Sequence, residues 1–344
     1  MDDTTPRGDG AQERGALRLP AEFEPHAATW MAWPCRSEIW GGALDQARDD
    51  YARLARTIAR FEPLRMVANA AHAEDARRRC GSSVRIVVLP IDDSWTRDSG
   101  PVFLAGARGA RHAAAFRFTA WGNKYQPYDQ DAALARRIAA MVGAPVVESG
   151  LALEGGAIIC DGEGTIVTTE SCLLNPNRNP GLTKQQVEAE LRRVLQVQKV
   201  IWLPGDPTET ETDGHIDGLF AYSAPARGLL ERVADPEDPR HRILAENRRA
   251  LELATDARGR SIAIELLDEA PRSTSVGERF CRSYVNFYIV NGAVIAPAYG
   301  VGMDATVAAT LTRAFPDREI VMLPIGRIAI GGGGFHCITQ QEPA

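Results

Sequence analysis

Four short polar motifs in this 344-residue chain carry the side chains best suited to chemistry. They contain Asp98, Glu154, the pair His215 and Asp217, and Cys337. A cysteine thiolate is a strong nucleophile, and a histidine can act as general acid and base. Carboxylates around a thiol raise its pKa, so the set suits a substrate that brings its own positive charge, as a planar guanidinium does. The motifs therefore predict attack of a thiolate on a guanidinium carbon, loss of ammonia, and hydrolysis of the thiouronium adduct to a urea.

Other residues near these motifs are candidates for binding the remainder of a substrate. Trp95 and Trp121 could form the walls of a pocket and stack on a cation, although aromatic packing explains them equally well. Asp92 and Glu211 could meet a distal ammonium group, or they could be solvated loop charges. Gly333 belongs to a run of four glycines, which suggests close approach of the backbone to a ligand.

The spacing of neighbouring residues predicts different roles for the two histidines of these motifs. His215 and Asp217 stand two residues apart, which places both side chains on the same side of a strand. His336 directly precedes Cys337, and neighbours on an extended segment point to opposite faces. We therefore expect His215 to act in the chemistry and His336 to serve packing.

The motifs follow stretches of sequence that are typical of β-strands. These stretches are Val84–Pro90, Ala144–Val147, Lys199–Pro204, Ile262–Leu267 and Glu319–Pro324. Three of the five end at Leu-Pro, which suits a strand end because proline cannot extend a ladder. Their spacing of roughly 55 to 65 residues indicates an internal repeat. Equivalent strand ends in such a repeat point to the same pole, where the four motifs would converge.

Helices and hairpins complete the predicted repeat. Apolar residues at helical spacing predict helices across residues 44–58, 134–141, 187–195 and 308–315. Asp129 is the expected cap of the second helix, and Thr183 with Gln186 forms a capping box for the third. Alternating and turn-rich patterns predict hairpins at 156–169 and 284–297, the latter around Asn291-Gly292.

The repeated unit is therefore a hairpin, a helix and a strand (ββαβ), present about five times. A ring of five such units predicts one α/β propeller-like domain over residues 16–344, after a disordered tail at 1–15. The alternative is a two-domain α/β protein whose strands happen to be evenly spaced. Residues 224–242 carry three prolines and dense charge, which favours a surface excursion.

Composition limits the class of protein. The formal net charge of -6 offers no electrostatic footprint for nucleic acid or anionic lipid. No apolar run approaches the roughly 18 residues that a membrane span needs. The six cysteines form no CxxC pair and are expected to be free thiols in a reducing compartment. We therefore expect a soluble cytoplasmic protein, with no nucleic-acid or membrane partner and with homo-oligomerisation left open.

Six motifs, in order along the chain, resemble those of agmatine deiminases and the related Porphyromonas-type peptidylarginine deiminases. They are WMAWPCRSEIW (30–40), WTRDSGP (95–101), AWGNKY (120–125), EGG (154–156), GHID (214–217) and GGGGFHCITQQ (331–341). The resemblance implies the five-bladed, pseudo-symmetric α/β propeller of the guanidino-group-modifying enzymes, the pentein fold, without cofactor or metal. It also implies a cationic guanidine substrate, agmatine, which is converted to N-carbamoylputrescine and ammonia in polyamine biosynthesis.

The resemblance assigns a role to each residue of the chemical set. Cys337 is the nucleophile, His215 the acid and base, and Glu154 the group that orients His215. Asp98 and Asp217 grip the guanidinium. The chain departs from the family pattern at Thr96, at Gly218 and around Gly334-Phe335, positions near the substrate that leave the identity of its tail open.

Three alternative functions remain open. The substrate could be another guanidine, such as arginine or peptidyl-arginine. A free-arginine enzyme would need a basic residue for the carboxylate, and Arg97 is one candidate. Asp98, Glu154, His215 and Asp217 could instead ligate a divalent metal for hydrolysis, although the chain has no HxH or HExxH spacing. A propeller without catalytic activity could also serve as a binding module.

The carboxylates around Cys337 lead to an expectation about its ionisation. Without substrate the thiol should be mostly protonated at neutral pH, because three nearby negative charges disfavour the thiolate. A bound guanidinium would reverse that effect. The remaining cysteines (Cys35, Cys80, Cys160, Cys172 and Cys281) are expected to be structural.

Overall fold

The computed structural model describes residues 17–272 and 279–344. The tail expected at residues 1–15 lies outside the described residues. The strands are β1 (His26–Ala32), β2 (Leu64–Ala68), β3 (Val84–Val88), β4 (Val102–Ala105), β5 (Arg111–Arg117), β6 (Val146–Ala152), β7 (Ile159–Cys160), β8 (Thr165–Thr169), β9 (Lys199–Leu203), β10 (Phe220–Ala224), β11 (Arg227–Arg232), β12 (Ala263–Asp268), β13 (Tyr288–Val290), β14 (Ala293–Ala298), β15 (Glu319–Pro324) and β16 (Gln340–Pro343).

Helices connect these strands. The longer helices are Leu44–Ile58, Ala73–Cys80, Leu134–Val142, Lys184–Leu195, Pro239–Leu253 and Met303–Ala314. Short helical turns occur at Ser37–Trp40, Thr96–Ser99, Ala120–Asn123, Asp129–Ala132, Glu170–Leu173 and Arg327–Ile330. Single 3-10 turns occur at Gly41–Ala43, Ala70–His72, Ala107–Gly109, Gly155–Ala157 and Ile216–Gly218.

The strands form five small sheets built on one plan, and this confirms the predicted α/β propeller of repeated ββαβ units. Four sheets have three strands each, in the orders β4-β5-β6, β7-β8-β9, β10-β11-β12 and β13-β14-β15. In each, the first two strands are antiparallel and the third returns parallel to the second after a helix. Parallel strands need such a crossover, which explains why each unit contains a helix.

The first sheet departs from this plan by drawing on both ends of the described chain. Its order is β16-β1-β2-β3, with β16 antiparallel to β1 and the remaining neighbours parallel. The predicted strand at Val84 is therefore an additional fourth strand. The counterpart of the other units' third strand is β2, which sequence analysis did not predict.

Sequence patterns located four of the six longer helices, each of which buries an apolar stripe, but did not predict Ala73–Cys80 or Pro239–Leu253. The helix Leu44–Ile58 buries Tyr51, Leu54 and Ile58 completely, which contributes roughly 1.5–3 kcal/mol for each side chain. The capping box of Thr183 and Gln186 forms as predicted at the helix Lys184–Leu195. Asp129 does not cap the helix Leu134–Val142, because it begins the separate turn Asp129–Ala132.

Both predicted hairpins are present. The turn at residues 161–164 is closed by Asp161, whose Oδ1 accepts from the amides of Glu163 at 2.8 Å and Thr165 at 2.9 Å. In the hairpin of β13 and β14, the Asn291 side chain also reaches β1. Its Nδ2 donates to the His26 carbonyl at 2.8 Å, and its Oδ1 accepts from the His26 amide at 2.9 Å. This exchange fastens the fifth sheet to the first.

The segment predicted as a surface excursion, residues 224–242, proves to contain the central strand of a sheet. Strand β11 pairs with both β10 and β12. Its charged residue Glu231 is buried at 3% exposure, because Arg240 pairs with it from the following helix. The charge that suggested a surface loop is thus neutralised inside the fold.

Membrane insertion receives no support from the described part of the chain. None of the helices there combines the length and the apolar composition that crossing a bilayer requires.

Candidate active site

The predicted catalytic residues occupy equivalent places in different units of the repeat. Asp98 lies in the helical turn after β3, and Glu154 follows the end of β6. His215 and Asp217 lie at the 3-10 turn between β9 and β10, whereas Cys337 lies between β15 and β16. The chain thus delivers all five side chains to one end of the sheets, and each of them is at least largely buried.

Three of these side chains converge on Gly156. The amide of Gly156 donates to Asp98 Oδ1 at 3.0 Å. A Cβ added to Gly156 would lie 2.7 Å from His215 Nδ1, 2.8 Å from Asp98 Oδ1 and 2.9 Å from Asp217 Oδ2. Real Cβ atoms are not found so close to polar atoms of other residues, so only glycine leaves room for this convergence.

Cys337 stands beside Asp217. Its Sγ is 3.7 Å from Asp217 Oδ2 and 3.4 Å from Asn286 Oδ1. Asn286 also accepts from the amides of His336 at 3.0 Å and Cys337 at 3.3 Å, and it donates to the Asp217 carbonyl at 3.1 Å. Asn286, which sequence analysis missed, therefore connects the loop of Cys337 to the loop of Asp217.

His215 is held by Glu154 and presents its other ring nitrogen to the site. Its Nε2 lies 3.3 Å from Glu154 Oε2. Its Nδ1 lies 3.8 Å from Asp98 Oδ1 and has no hydrogen-bond partner. Burial alone would lower the pKa of His215, but Asp98, Cys172 and Glu154 outweigh burial and hold that pKa well above its ordinary value. An imidazolium with one unsatisfied N–H is suited to give a proton to a leaving group.

Arg178 is a second residue of the site that sequence analysis missed. Its Nε donates to Glu154 Oε1 at 2.9 Å and to Oε2 at 3.0 Å, and its Nη1 donates to Asp213 Oδ2 at 2.7 Å. Burial would raise the pKa of Glu154, but Arg178 and His215 outweigh burial and lower it. Glu154 therefore stays ionised behind His215. An arginine between asparagines and prolines suggests an exposed turn, so the sequence offered little signal for this role.

Two groups at the front of the site have pKa values shifted toward their neutral forms. Burial raises the pKa of Asp98 to about 6, and the charges of Asp217 and Glu154 act in the same direction. Burial and the charges of Asp217 and Asp98 hold the pKa of the Cys337 thiol well above its usual value. This agrees with the expectation of a protonated thiol in the absence of substrate.

A pocket of about 340 Å³ opens in front of Asp98 and Cys337. It is lined by Ile39, Trp95, Asp98, Trp121, Tyr125, Glu211, Thr212, Arg279, Gly331, Gly332, Gly333 and Cys337. Four of the predicted substrate-binding residues, namely Trp95, Trp121, Glu211 and Gly333, thus share one pocket with the thiol. Asp92 does not line it, because its Oδ2 faces a different loop and accepts from the amide of Gln130 at 2.8 Å.

Trp121 reaches the pocket from an unusual backbone conformation. Ala120 and Trp121 both have positive φ angles, 48° and 55°, a region that L-residues rarely adopt. The conformation lets Trp121 Nε1 donate to Asp98 Oδ2 at 2.9 Å. Strained backbone at a ligand-facing position is typical of functional sites. Trp121 therefore orients Asp98 as well as forming a wall of the pocket.

The expectation that His336 merely packs is wrong. Its Nδ1 lies 2.8 Å from Asp217 Oδ2, and its Nε2 lies 2.8 Å from Glu22 Oε2. Residues 335–338 form a turn rather than the extended segment that the prediction assumed, and His336 and Cys337 both approach Asp217 Oδ2. Cys337 faces the pocket, whereas His336 lines a separate cavity of about 700 Å³ on the other side.

The geometry does not support the metal-dependent alternative. Within residues 17–272 and 279–344, no three of the residues named for that alternative (Asp98, Glu154, His215 and Asp217) have donor atoms that all lie within 4.8 Å of one another. The group that does so is Glu154, Cys172 and His215. Both carboxylate oxygens of Glu154 already accept from Arg178. A divalent cation there would lie beside the positively charged guanidinium of Arg178, which would repel it. This set therefore does not fit a hydrolytic metal.

Arg97, the basic residue suggested for a substrate carboxylate, is directed away from the pocket. Its guanidinium donates to Gln341 Oε1 at 2.7 Å and to Glu22 Oε2 at 3.2 Å. Arg279 lines the pocket instead, with its Nε 3.2 Å from Glu211 Oε2. Glu211 Oε2 also accepts from the hydroxyl of Tyr125 at 2.6 Å.

Comparisons with known proteins agree with this geometry. The profile of the Porphyromonas-type peptidyl-arginine deiminase family matches residues 18–343. The agmatine deiminase of Pseudomonas aeruginosa is 40% identical, and the match covers 99% of this chain and 98% of that protein. The agmatine deiminase of Ectopseudomonas mendocina is 39% identical at the same coverage. Among solved structures, the agmatine deiminase of Enterococcus faecalis superposes with a TM-score of 0.92 at 31% identity, covering 96% of this chain and 97% of that one.

Proposed function

The chain belongs to the Porphyromonas-type peptidyl-arginine deiminase family, and from that premise we propose that it is an agmatine deiminase. It hydrolyses the cationic guanidine agmatine to N-carbamoylputrescine and ammonia. Relatives named agmatine deiminase match almost the full length of the chain, which supports this substrate.

One observation carries the proposal: a buried thiol stands among carboxylates that lack an arginine or lysine partner. Within the described residues, neither Asp98 nor Asp217 forms an ion pair with an arginine or lysine side chain. Buried carboxylates are costly unless a cation compensates them. A guanidinium bound between them supplies that charge, and its N–H groups match carboxylate oxygens in pairs. Its carbon then faces Cys337.

Substrate binding also activates the nucleophile. The positive charge of the guanidinium lowers the pKa of Cys337, which releases its proton to solvent. Sγ attacks the guanidinium carbon and forms a C–S bond. His215 gives a proton to one amino group, the C–N bond breaks, and ammonia leaves.

The second half of the reaction regenerates the thiol. His215, now neutral, takes a proton from a water molecule as the water attacks the thiouronium carbon. The C–S bond breaks with sulfur leaving as the thiolate, and the proton of the added hydroxyl passes to it. The thiol is restored and the carbon becomes the carbonyl of a urea. Overall, agmatine and water become N-carbamoylputrescine and ammonium. Glu154, kept ionised by Arg178, holds His215 in place through both halves.

The distal ammonium of agmatine lies among the aromatic rings and Glu211. Trp95, Trp121 and Tyr125 line the pocket and offer ring faces to a cation. Glu211 supplies the negative charge, which it shares with Arg279. The pocket is therefore shaped for a substrate that is cationic at both ends.

A second candidate, deimination of a guanidine that carries a carboxylate such as arginine, is favoured by one observation. Arg279 stands in the pocket, where it could meet a carboxylate. Its pairing with Glu211 weighs against this, because a substrate carboxylate would compete with a carboxylate already in place.

The test is ammonia release from agmatine, arginine and a peptidyl-arginine ester by the wild type and by Cys337→Ser. We expect agmatine to be preferred, and the loss of the thiolate to reduce kcat by about 10⁴-fold or more. Cys80→Ser, which changes a fully buried cysteine in the hydrophobic core, is the matched control and should keep wild-type turnover. A preference for arginine, or activity that survives Cys337→Ser, would overturn the proposal.

The product contains putrescine, so we also propose a role in polyamine biosynthesis. A cytoplasmic location remains part of the same proposal.

A further inference from the structure

His336 bridges the catalytic Asp217 to a carboxylate outside the pocket. Both ring nitrogens lie 2.8 Å from a carboxylate oxygen, Nδ1 from Asp217 Oδ2 and Nε2 from Glu22 Oε2. The side chains of His336 and Asp217 are nearly inaccessible, with 5% and 3% exposure. A ring nitrogen that faces an ionised carboxylate must carry hydrogen, so this geometry requires a doubly protonated imidazolium.

Glu22 is fixed in place by further contacts. Its Oε2 accepts from Arg97 at 3.2 Å, and its Oε1 accepts from the amide of Ile289 at 2.8 Å. Arg97 Nε in turn donates to the carbonyl of His336 at 3.3 Å. Glu22 is thus held by hydrogen bonds from Arg97 and Ile289, and it supports His336 from the side opposite the pocket.

His336 engages the same oxygen of Asp217 that faces the nucleophile. Asp217 Oδ2 is the atom near Cys337 Sγ, and it is also the atom that a Cβ added to Gly156 would meet at 2.9 Å. A hydrogen bond to this oxygen therefore fixes the orientation of the Asp217 carboxylate in the site. His336 makes that bond.

We propose that His336 is a positioning residue, supported by Glu22, that orients Asp217 and holds it ionised for the guanidinium. The inference rests on the proposed function, since it assigns His336 a part in binding that substrate. His336 itself touches neither the pocket nor the reacting atoms.

The charges around the three groups agree with this role. Burial would raise the pKa of Asp217, but His336 outweighs burial and lowers it. Burial and Arg97 would lower the pKa of His336, but Glu22 and Asp217 raise it. The other titratable or charged groups that act on the three are Asp98, His215, Cys281, Cys337, Cys160, Tyr288, Arg97 and Arg318.

The test compares the pH dependence of kcat/KM for agmatine in two isosteric variants. His336→Gln keeps hydrogen bonding but removes the positive charge beside Asp217, so the pKa of Asp217 rises. We expect KM to rise about tenfold with a smaller change in kcat, and the acid limb of kcat/KM to become steeper below the pKa of Asp98, because Asp217 then takes up a proton at higher pH than in the wild type.

Glu22→Gln should affect the opposite limb. Below neutral pH the remaining carboxylate, Asp217, keeps His336 protonated. The acid limb of kcat/KM should therefore not move to higher pH. Without Glu22 the imidazolium loses its proton at lower pH, so we expect the alkaline limb to move down by about one pH unit.

Glu342→Gln is the matched control. Glu342 is another buried carboxylate that pairs with two arginines, Arg65 and Arg111, without contact to Asp217. This variant should move neither limb.

A measurement without turnover separates this inference from the proposed function. Nitrogen-15 NMR of histidine-labelled wild type should show both ring nitrogens of His336 protonated at pH 7, assigned through His336→Gln, and Glu22→Gln should lower the pKa of His336. A neutral His336 in the wild type, or wild-type limbs and KM in both variants, would overturn the inference. If the wild type fails to turn over agmatine, the proposed function falls, while the NMR result still decides the charge of His336.

Discussion

Two buried clusters of carboxylates are arranged to bind a guanidinium. One of them holds the guanidinium of an arginine side chain, and the other holds none within the described residues. In the first, Arg240 Nε donates to Asp206 at 2.8 Å and its Nη2 donates to Glu231 at 3.1 Å, while its Nη1 donates to Glu269. In the second, Asp98 and Asp217 stand beside a thiol and an imidazole. The chain supplies the cation to the first cluster and leaves the second open to a pocket.

The comparison distinguishes an ion cluster that stabilises the fold from a binding site that uses the same pairing of carboxylates with a guanidinium. Burial raises carboxyl pKa values in both, that of Glu231 to about 7 and that of Asp98 to about 6. Where Arg240 is always present, the favourable interaction contributes to folding. Where a cation must arrive from solution, the interaction is available for binding and for activating Cys337.

The largest expected effect tests the open cluster. Asp98→Asn and Asp217→Asn should each reduce kcat/KM for agmatine by about 10³-fold, because a neutral amide cannot compensate the guanidinium charge. Asp98→Asn should leave stability little changed or raise it, because burial raises the pKa of Asp98 and disfavours its charged form. Asp217→Asn should lower stability, since it removes the carboxylate that pairs with His336. Kinetics and thermal unfolding measured on the same samples check these statements. A large loss of stability in Asp98→Asn would show that the two clusters do not differ as described.

Arg240→Met tests the occupied cluster. Removal of the guanidinium leaves Asp206 and Glu231 without their cation, while Glu269 keeps Arg282. We therefore expect a loss of about 3 kcal/mol in the free energy of unfolding. The loss should be greatest above pH 7, where Glu231 would have to remain ionised. Turnover per folded molecule should stay within about twofold of wild type. Urea unfolding and steady-state kinetics measure the two quantities, and a selective loss of turnover would contradict the distinction.

Gly156→Ala sharpens the comparison by adding one methyl group at the point of convergence. The new Cβ would come within 3 Å of His215, Asp98 and Asp217, so these side chains must shift. We expect kcat/KM to fall about 10²-fold, since small misplacements of reacting groups have effects of this size. Gly259→Ala, at a turn with open space around it, is a control for the loss of a glycine but carries its own backbone strain. Wild-type kinetics in Gly156→Ala would contradict the geometry.

The smallest effect concerns pH. The pKa of Asp98 in the free enzyme is about 6, so Asp98 is neutral below that pH and attracts a guanidinium less strongly. We expect kcat/KM to fall about tenfold per pH unit below about pH 6. Arg240→Met should show the same decrease of kcat/KM at acid pH when it is assayed under conditions in which the variant is folded. A flat profile down to pH 5 would mean that Asp98 is ionised despite its burial.

Local patterns predicted most of the fold and the five chemical side chains. Helical periodicity located the helix Leu44–Ile58, and turn residues located the hairpin at Asn291-Gly292, because these signals depend on neighbours in sequence. Polar residues after strand ends indicated where Asp98 and Cys337 would meet. The roles of these side chains in catalysis remain predictions.

Contacts between distant segments were not predictable in the same way. Arg178 and Asn286 act through partners far along the chain, and nothing in their surroundings indicates a buried role. The charged strand β11 suggested a loop because its partner, Arg240, lies on a later helix. His336 was expected to pack because its second carboxylate, Glu22, is 314 residues away.

The pairing of β16 with β1 has a consequence for the order of synthesis. The ribosome makes Glu22 and the first strand early, whereas the nucleophile and the strand that follows it come more than three hundred residues later. A partly made chain can therefore carry the acids, His215 and Cys172 but not the thiol of Cys337. The proposed reaction with guanidinium groups, including those of the arginines in the chain itself, requires that β16 has joined β1 and completed the first sheet.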